Sequence, residues 1–429
     1  MKKLATGAAE RAPVLGAAMI EGTASAAVFG YGPLYMRQVL GEPSLAVTTL
    51  MLALTGVVWF GFAALWGRLG DRFGNPLPLV AWSLAFSAAG LALLPMASGS
   101  AAFIAGTVFW SAVQAAVVPL GVSWLTLLCP ERPSEAAAGL YRMRFVGWTL
   151  GSMGTGALIS GLDLAGISLG YWLTAGLAGG SALWSAATVR RRQVAEPSGR
   201  AGAGPIGFEN ASWAEIGQLE RGSTSRQAAR ASAGTIWQFR AVTALCTVIM
   251  LTSTGNEAFF AVIGPYLTEY LDGAPEWLGL SLGAASLLGV GIIGPLGRAA
   301  DRRGPEQVFV AGCWAYAIMY GIMTVWRDPV VAAVLFGLPV FPFLSTGATG
   351  SLARRTPVER RGEAVGVYEG TSALAGALGS LLGGMLADAA GLDWIPAMSF
   401  VLSVVGLLVA RSWLLPGEQS RQTRNSASD

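Results

Sequence analysis

The strongest constraint on this chain is a polar stretch that occurs twice, each time between long apolar runs. Gly67-Arg68-Leu69-Gly70-Asp71-Arg72-Phe73-Gly74-Asn75-Pro76 is echoed 230 positions later by Gly297-Arg298-Ala299-Ala300-Asp301-Arg302-Arg303-Gly304-Pro305. Other landmarks keep nearly the same offset. Gly32-Pro33 matches Gly264-Pro265 at 232, and Cys129-Pro130 matches Thr356-Pro357 at 227. Gly139-Leu140-Tyr141-Arg142 matches Gly366-Val367-Tyr368-Glu369, also at 227. The repeat predicts two halves of like construction. Glycines in the repeated stretch allow a tight turn. Its carboxylate suits a neighbouring helix N-terminus, and its arginines suit a membrane surface.

The apolar runs decide what the halves are made of. Only 12% of the 429 residues are charged and 53% are hydrophobic, whereas a soluble domain is about 25% charged. Twelve spans of about 20 residues need roughly 240 residues. The runs predict spans at 13–39, 45–68, 77–97, 101–128, 137–162, 167–189, 240–271, 277–299, 306–326, 329–353, 364–389 and 393–415. The expected class is therefore an all-α membrane protein of twelve helices. Its expected parts are a six-helix bundle over 1–189, a cytoplasmic linker over 190–239, a second bundle over 240–415 and a disordered tail over 416–429. A short surface helix is expected at 213–220. Arginines and lysines gather on one side of the predicted spans, which places both termini in the cytoplasm and the chain in the inner membrane. Arg37 and Arg327 are the exceptions. Met1-Lys2-Lys3 does not start a signal peptide on this reading, because Glu10 and Arg11 precede an apolar run too long for one.

The two copies of the Gly67 stretch, each flanked by membrane-length runs, resemble the signature loops of the major facilitator superfamily. The resemblance covers nearly the whole chain outside linker and tail. It implies two six-helix bundles around a substrate site near the midplane, and roles in conformational change for Gly67, Gly70, Asp71, Arg72, Gly74, Gly297, Asp301, Arg302 and Gly304. It places Asp71 against the start of helix 11, near Gly362 and Glu363. Two features of proton-driven drug exporters are missing: helix 4 has no arginine, and Gly151 is followed by serine rather than proline. A similarity to bacterial sugar-efflux proteins rests on Leu140-Tyr141-Arg142, Trp148 and Asn256, without that group's Gly-Pro-Pro.

Charged residues inside spans cost roughly 2.5–3.5 kcal/mol each on insertion scales and seldom face lipid. Glu21 and Glu257 are such residues. Under the 232 offset Glu257 corresponds to Ser25, one helical turn from Glu21. The chain has no histidine, so a proton carrier must be a carboxylate, and desolvation favours the neutral form of a carboxylic acid. Glu257 is the expected proton-coupling residue, with Glu21 as its partner in that role. Asn256, Phe260, Trp110, Gln114 and Arg142 are expected to contact substrate. Arg142 and Arg144 lie about 200° apart on a helix, so at most one faces a central cavity. Arg142 and Glu369, repeat partners of opposite charge, are expected to pair as a gate. Pro339 and Pro342 are expected to kink helix 10.

The cysteines Cys129, Cys246 and Cys313 have no metal or redox spacing. No phosphate-binding loop and no nucleophile–base pair are present, so neither ATP hydrolysis nor an enzyme is expected. The expected activity is gradient-driven export of a small organic compound by proton antiport. Sugar efflux, uptake by symport, and a non-transporting sensor on the same fold are the rivals. Substrate, protons and the bilayer are the expected partners of a monomer that needs no cofactor and binds no nucleic acid.

Overall fold

The computed structural model describes residues 2–73, 76–128, 133–195, 237, 239–356 and 361–414. The side chains of 71–73 and 361–363 are outside the description. The described residues form twelve long helical segments. Ten are apolar enough over their length to cross a membrane: α1 (Arg11–Gln38), α2 (Leu45–Gly67), α3 (Leu77–Met96), α4 (Ser100–Leu125), α7 (Arg240–Tyr270), α8 (Glu276–Arg303), α9 (Pro305–Val325), α10 (Pro329–Leu352), α11 (Val367–Ala390) and α12 (Trp394–Leu414). The other two, α5 (Pro133–Leu162) and α6 (Ala165–Ala195), are long enough but richer in glycine, serine, threonine and arginine. Helix α6 takes in the first six residues of the expected linker, ending at Ala195, and includes the Arg190–Arg192 run. The expected helix at 213–220 and the tail lie outside the described residues.

Packing follows the sequence repeat. Within the first half α1 packs on α5, and α3 on α6; within the second, α7 packs on α11, and α9 on α12. The halves meet where α2 crosses α11 and α5 crosses α8. Glycine sets the closest approaches. A Cβ on Gly147 would fall on the carbonyl of Met19, and one on Gly151 on the carbonyl of Thr23. On the other side of the repeat a Cβ on Gly379 would fall on the carbonyl of Thr254. Such backbone-to-backbone contact is what small residues permit where lipid supplies no hydrophobic drive.

The repeated polar stretches are less loop than expected. Residues 67–73 continue the helix of α2, and 297–303 close α8. In the second copy the turn falls on Gly304, whose φ of 100° suits a residue without Cβ. Gly74 and its neighbour 75 lie outside the described residues, as do the side chains of Asp71 and Arg72. The proposed contact of Asp71 with Gly362 and Glu363 therefore also lies outside the description.

Proline breaks two helices that the sequence reads as continuous. Pro119 has no N–H to donate one turn back, and its ring crowds that carbonyl; α4 opens at Ala115 and Ala116. Helix α10 stops at Phe336 and restarts at Phe341, across Pro339 and beside Pro342. This is a full interruption rather than the expected kink.

Candidate functional site

Between the halves lies a cavity of about 480 Å³. Phe29, Tyr141, Arg144, Phe145 and Trp148 line it from the first half. Asn256, Glu257, Phe260, Tyr316 and Phe336 line it from the second, together with the interrupted stretch of α10 from Leu338 to Pro342. The interruption puts non-helical backbone against a cavity rather than against lipid, where its polar groups would go unsatisfied.

Two polar constellations face each other across this space. In the first half Arg144 Nε donates to Glu21 Oε2 at 2.5 Å. Glu21 is fully buried and the Arg144 side chain is 29% exposed, toward the cavity. Ser25 Oγ donates to the other Glu21 oxygen at 2.8 Å, and the guanidinium lies 5.6 Å from the centroid of Trp59. The glycine contacts between α1 and α5 make this pair possible. Gly22, next to Glu21, and Gly147, about one turn from Arg144, bring the two backbones together.

In the second half Tyr320 Oη donates to Asn256 Oδ1 at 2.9 Å. That bond uses the acceptor of the amide and turns its NH2 toward Glu257 Oε1, at 3.3 Å. No arginine or lysine pairs with Glu257 among the described residues. Helix α11 passes close behind it, with Gly376 and Gly379 leaving room for its stem. The repeat relation is informative here. Ser25, the counterpart of Glu257, spends its hydroxyl on a carboxylate that already has an arginine, whereas Glu257 has only an amide.

The remaining sequence-based site residues divide clearly. Asn256, Glu257 and Phe260 line the cavity. Trp110 does not: it is buried behind Phe29, at a ring separation of 5.6 Å, and donates to Ser87 Oγ at 3.0 Å. Gln114 is also fully buried, away from the cavity wall, with no described partner for either amide atom. The segment of α4 that carries both packs on α2 and α3, and Trp110 also reaches Phe29 of α1. Arg142 is exposed, and of the two arginines on α5 it is Arg144 that turns inward. Arg142 and Glu369 form no ion pair in this conformation; both are exposed. Tyr320 carried no signal in the sequence, since a tyrosine in an apolar helix reads as packing. The Ser25–Glu21 spacing of one turn was the available hint for the Arg144 site.

The cavity is shut at the end opposite the signature turns. There Tyr31 Oη donates to the Ser152 carbonyl at 2.7 Å. Asp388 accepts from Leu45 N at 2.7 Å, Ala46 N at 3.0 Å and Ser44 Oγ at 2.7 Å. Arg37 pairs with Glu269 at 2.6 Å and also donates to the Pro43 carbonyl. Tyr141, Arg142 and Glu369 are exposed toward the signature-turn end.

Comparison with known proteins agrees with this architecture. A 123-residue stretch is 28% identical to an uncharacterized MFS-type transporter of Mycobacterium tuberculosis (strain ATCC 25618 / H37Rv), 28% of this chain and 21% of that protein. The chain thus matches about a fifth of that relative's length. The structure resembles a bacterial homolog of the human lysosomal transporter Spinster, solved inward-facing and unoccupied. That likeness has a TM-score of 0.72 and 13% identity over 95% of this chain and 98% of that one. It also resembles the nucleoside transporter NupG (0.68, 12%, over 94% and 98%). A further likeness is to the peptide transporter POT in complex with sulfate (0.69, 13%, over 94% and 93%). At such identities the likeness is one of fold. The family profile described as Major Facilitator Superfamily matches residues 14–252 and 243–429, nearly the entire chain. The chain is a multi-pass membrane protein that belongs to the Major Facilitator Superfamily.

Proposed function

We propose that this transporter exports a small organic compound from the cytoplasm across the plasma membrane by alternating access, in exchange for protons. The observation that carries the reading is Glu257: a carboxylate in the wall of the central cavity, with an amide at 3.3 Å and no cationic partner among the described residues. Such a group exchanges a proton with the cavity more readily than Glu21, whose charge is matched by Arg144. Protonation neutralises the site and eases passage through an occluded state, while substrate favours the deprotonated form. The basic residues near the signature turns support a cytoplasmic position for that side, and on this reading the cavity described here is the inward-facing one. The signature residues Asp71 and Asp301 belong to the same scheme as anchors of the opposite state, closed toward the cytoplasm.

The test separates binding from coupling. Glu257→Gln in proteoliposomes should keep counterflow at saturating substrate and lose uphill transport driven by a pH gradient. Uphill transport with unchanged pH dependence in this variant moves the proton role to Glu21 or Glu369. A binding protein that showed no flux under any gradient would be a sensor on the same fold.

A further inference from the structure

We propose that the central cavity recognises a monovalent organic cation with an aromatic or apolar body, and that Glu257 is its counter-charge. The inference rests on the transport reading above and names the substrate class of the same site.

Charge matching comes first. Among the described residues Arg144 and Glu257 are the charged side chains of the lining, and the buried Glu21 stands behind Arg144. Arg144 and Glu21 cancel at 2.5 Å. The uncancelled charge is that of Glu257, so the ionised cavity carries one negative charge. A like charge brought into a space with low-dielectric walls is repelled, and a monocation restores neutrality.

Hydrogen-bond direction gives the same answer. Tyr320 occupies the Asn256 carbonyl, and the Asn256 NH2 points at Glu257 Oε1. The second Glu257 oxygen, Oε2, has no described donor. The acid therefore offers an acceptor to the cavity, which suits an ammonium or other N–H donor.

The walls supply the rest. Phe260 and Phe336 stack with centroids 6.5 Å apart, and Tyr316 and Trp148 add further ring faces to the lining. Aromatic faces attract cations and pack flat apolar bodies. A sugar requires many donors and acceptors around its ring, and this lining is dominated by rings and aliphatic side chains.

The experiment uses the purified full-length chain and a pair of probes of one shape and opposite charge, tetraphenylphosphonium and tetraphenylborate, with benzyltrimethylammonium as a smaller cation. Equilibrium binding in detergent, corrected against protein-free micelles, should show saturable binding of a cation and none of tetraphenylborate. Affinity for the cation should fall at least tenfold in Glu257→Gln and be largely retained in Glu257→Asp. Saturable binding of tetraphenylborate, or of neither cation, overturns the proposal; so does cation binding that is unchanged in Glu257→Gln. Flux distinguishes the two readings. Gradient-driven carriage of an anion or sugar, without cation binding, leaves transport standing and removes the cation class. Glu257-dependent cation binding without flux of any bound probe does the reverse.

Discussion

Arg37 and Glu269 stand 232 positions apart, the offset that relates Gly32-Pro33 to Gly264-Pro265, and they meet at the closed end of the cavity through two hydrogen bonds, at 3.1 and 2.6 Å. One repeat position thus carries opposite charges in the two halves, and the pseudo-twofold axis brings them together. The same logic at the opposite end, applied to Arg142 and Glu369, describes a pair that is apart in this state.

The Arg37–Glu269 pair is about a quarter exposed, and such pairs contribute about 0.2–1 kcal/mol. Arg37→Glu or Glu269→Arg alone should raise the population open at that end about fivefold at most. Combining the two should restore it. Spin-label distances across the end, measured for both singles and the double, give the coupling directly. Equal effects in singles and double would mean the pair contributes nothing.

Asp388 caps the start of α2 from the far half of the molecule, accepting from two backbone N–H groups and a hydroxyl. Loss of an N-cap costs about 0.5–2 kcal/mol. Because this cap bridges the halves, Asp388→Ala should shift the closed end toward opening rather than unfold α2. Cysteine accessibility at that end should rise while the thermal unfolding temperature changes little.

Gly147→Ala should be disruptive. Its Cβ falls on the Met19 carbonyl, which is backbone and cannot step aside. Overpacking of this kind costs roughly 1–3 kcal/mol, and separating α1 from α5 also pulls Glu21 from Arg144. Thermal unfolding in detergent should drop and transport should fall. Gly154→Ala, on the same helix with nothing within 4 Å of the new Cβ, should change neither.

For Arg142 and Glu369 the expectation is state-dependent. If they close the signature-turn end in the other conformation, Arg142→Glu and Glu369→Arg should each slow transport, and the swap should recover part of the loss. Neither single change should alter the conformation described here, where the two do not pair. Full activity in both singles would end the gate assignment.

Fold and topology were legible because they depend on composition, span length and an internal repeat, all of which lie along the chain. Glu257, Asn256 and Phe260 were legible for a related reason: a polar group in an apolar span has to face protein or a cavity, and this one lies in the repeat partner of α1. What the sequence left open were relations between helices. It could not choose between Arg142 and Arg144, because that choice depends on how α5 is rotated against α1, and the Gly22, Gly147 and Gly151 contacts fix that rotation. It assigned Trp110 and Gln114 to substrate, but only packing shows that this part of α4 is buried against α2 and α3. It gave no notice of Tyr320, whose hydroxyl orients Asn256 from 64 positions away. Periodicity along one helix determines which residues share a face; the neighbours of that face, and hence whether an acid there is paired or free, are decided only when the helices pack.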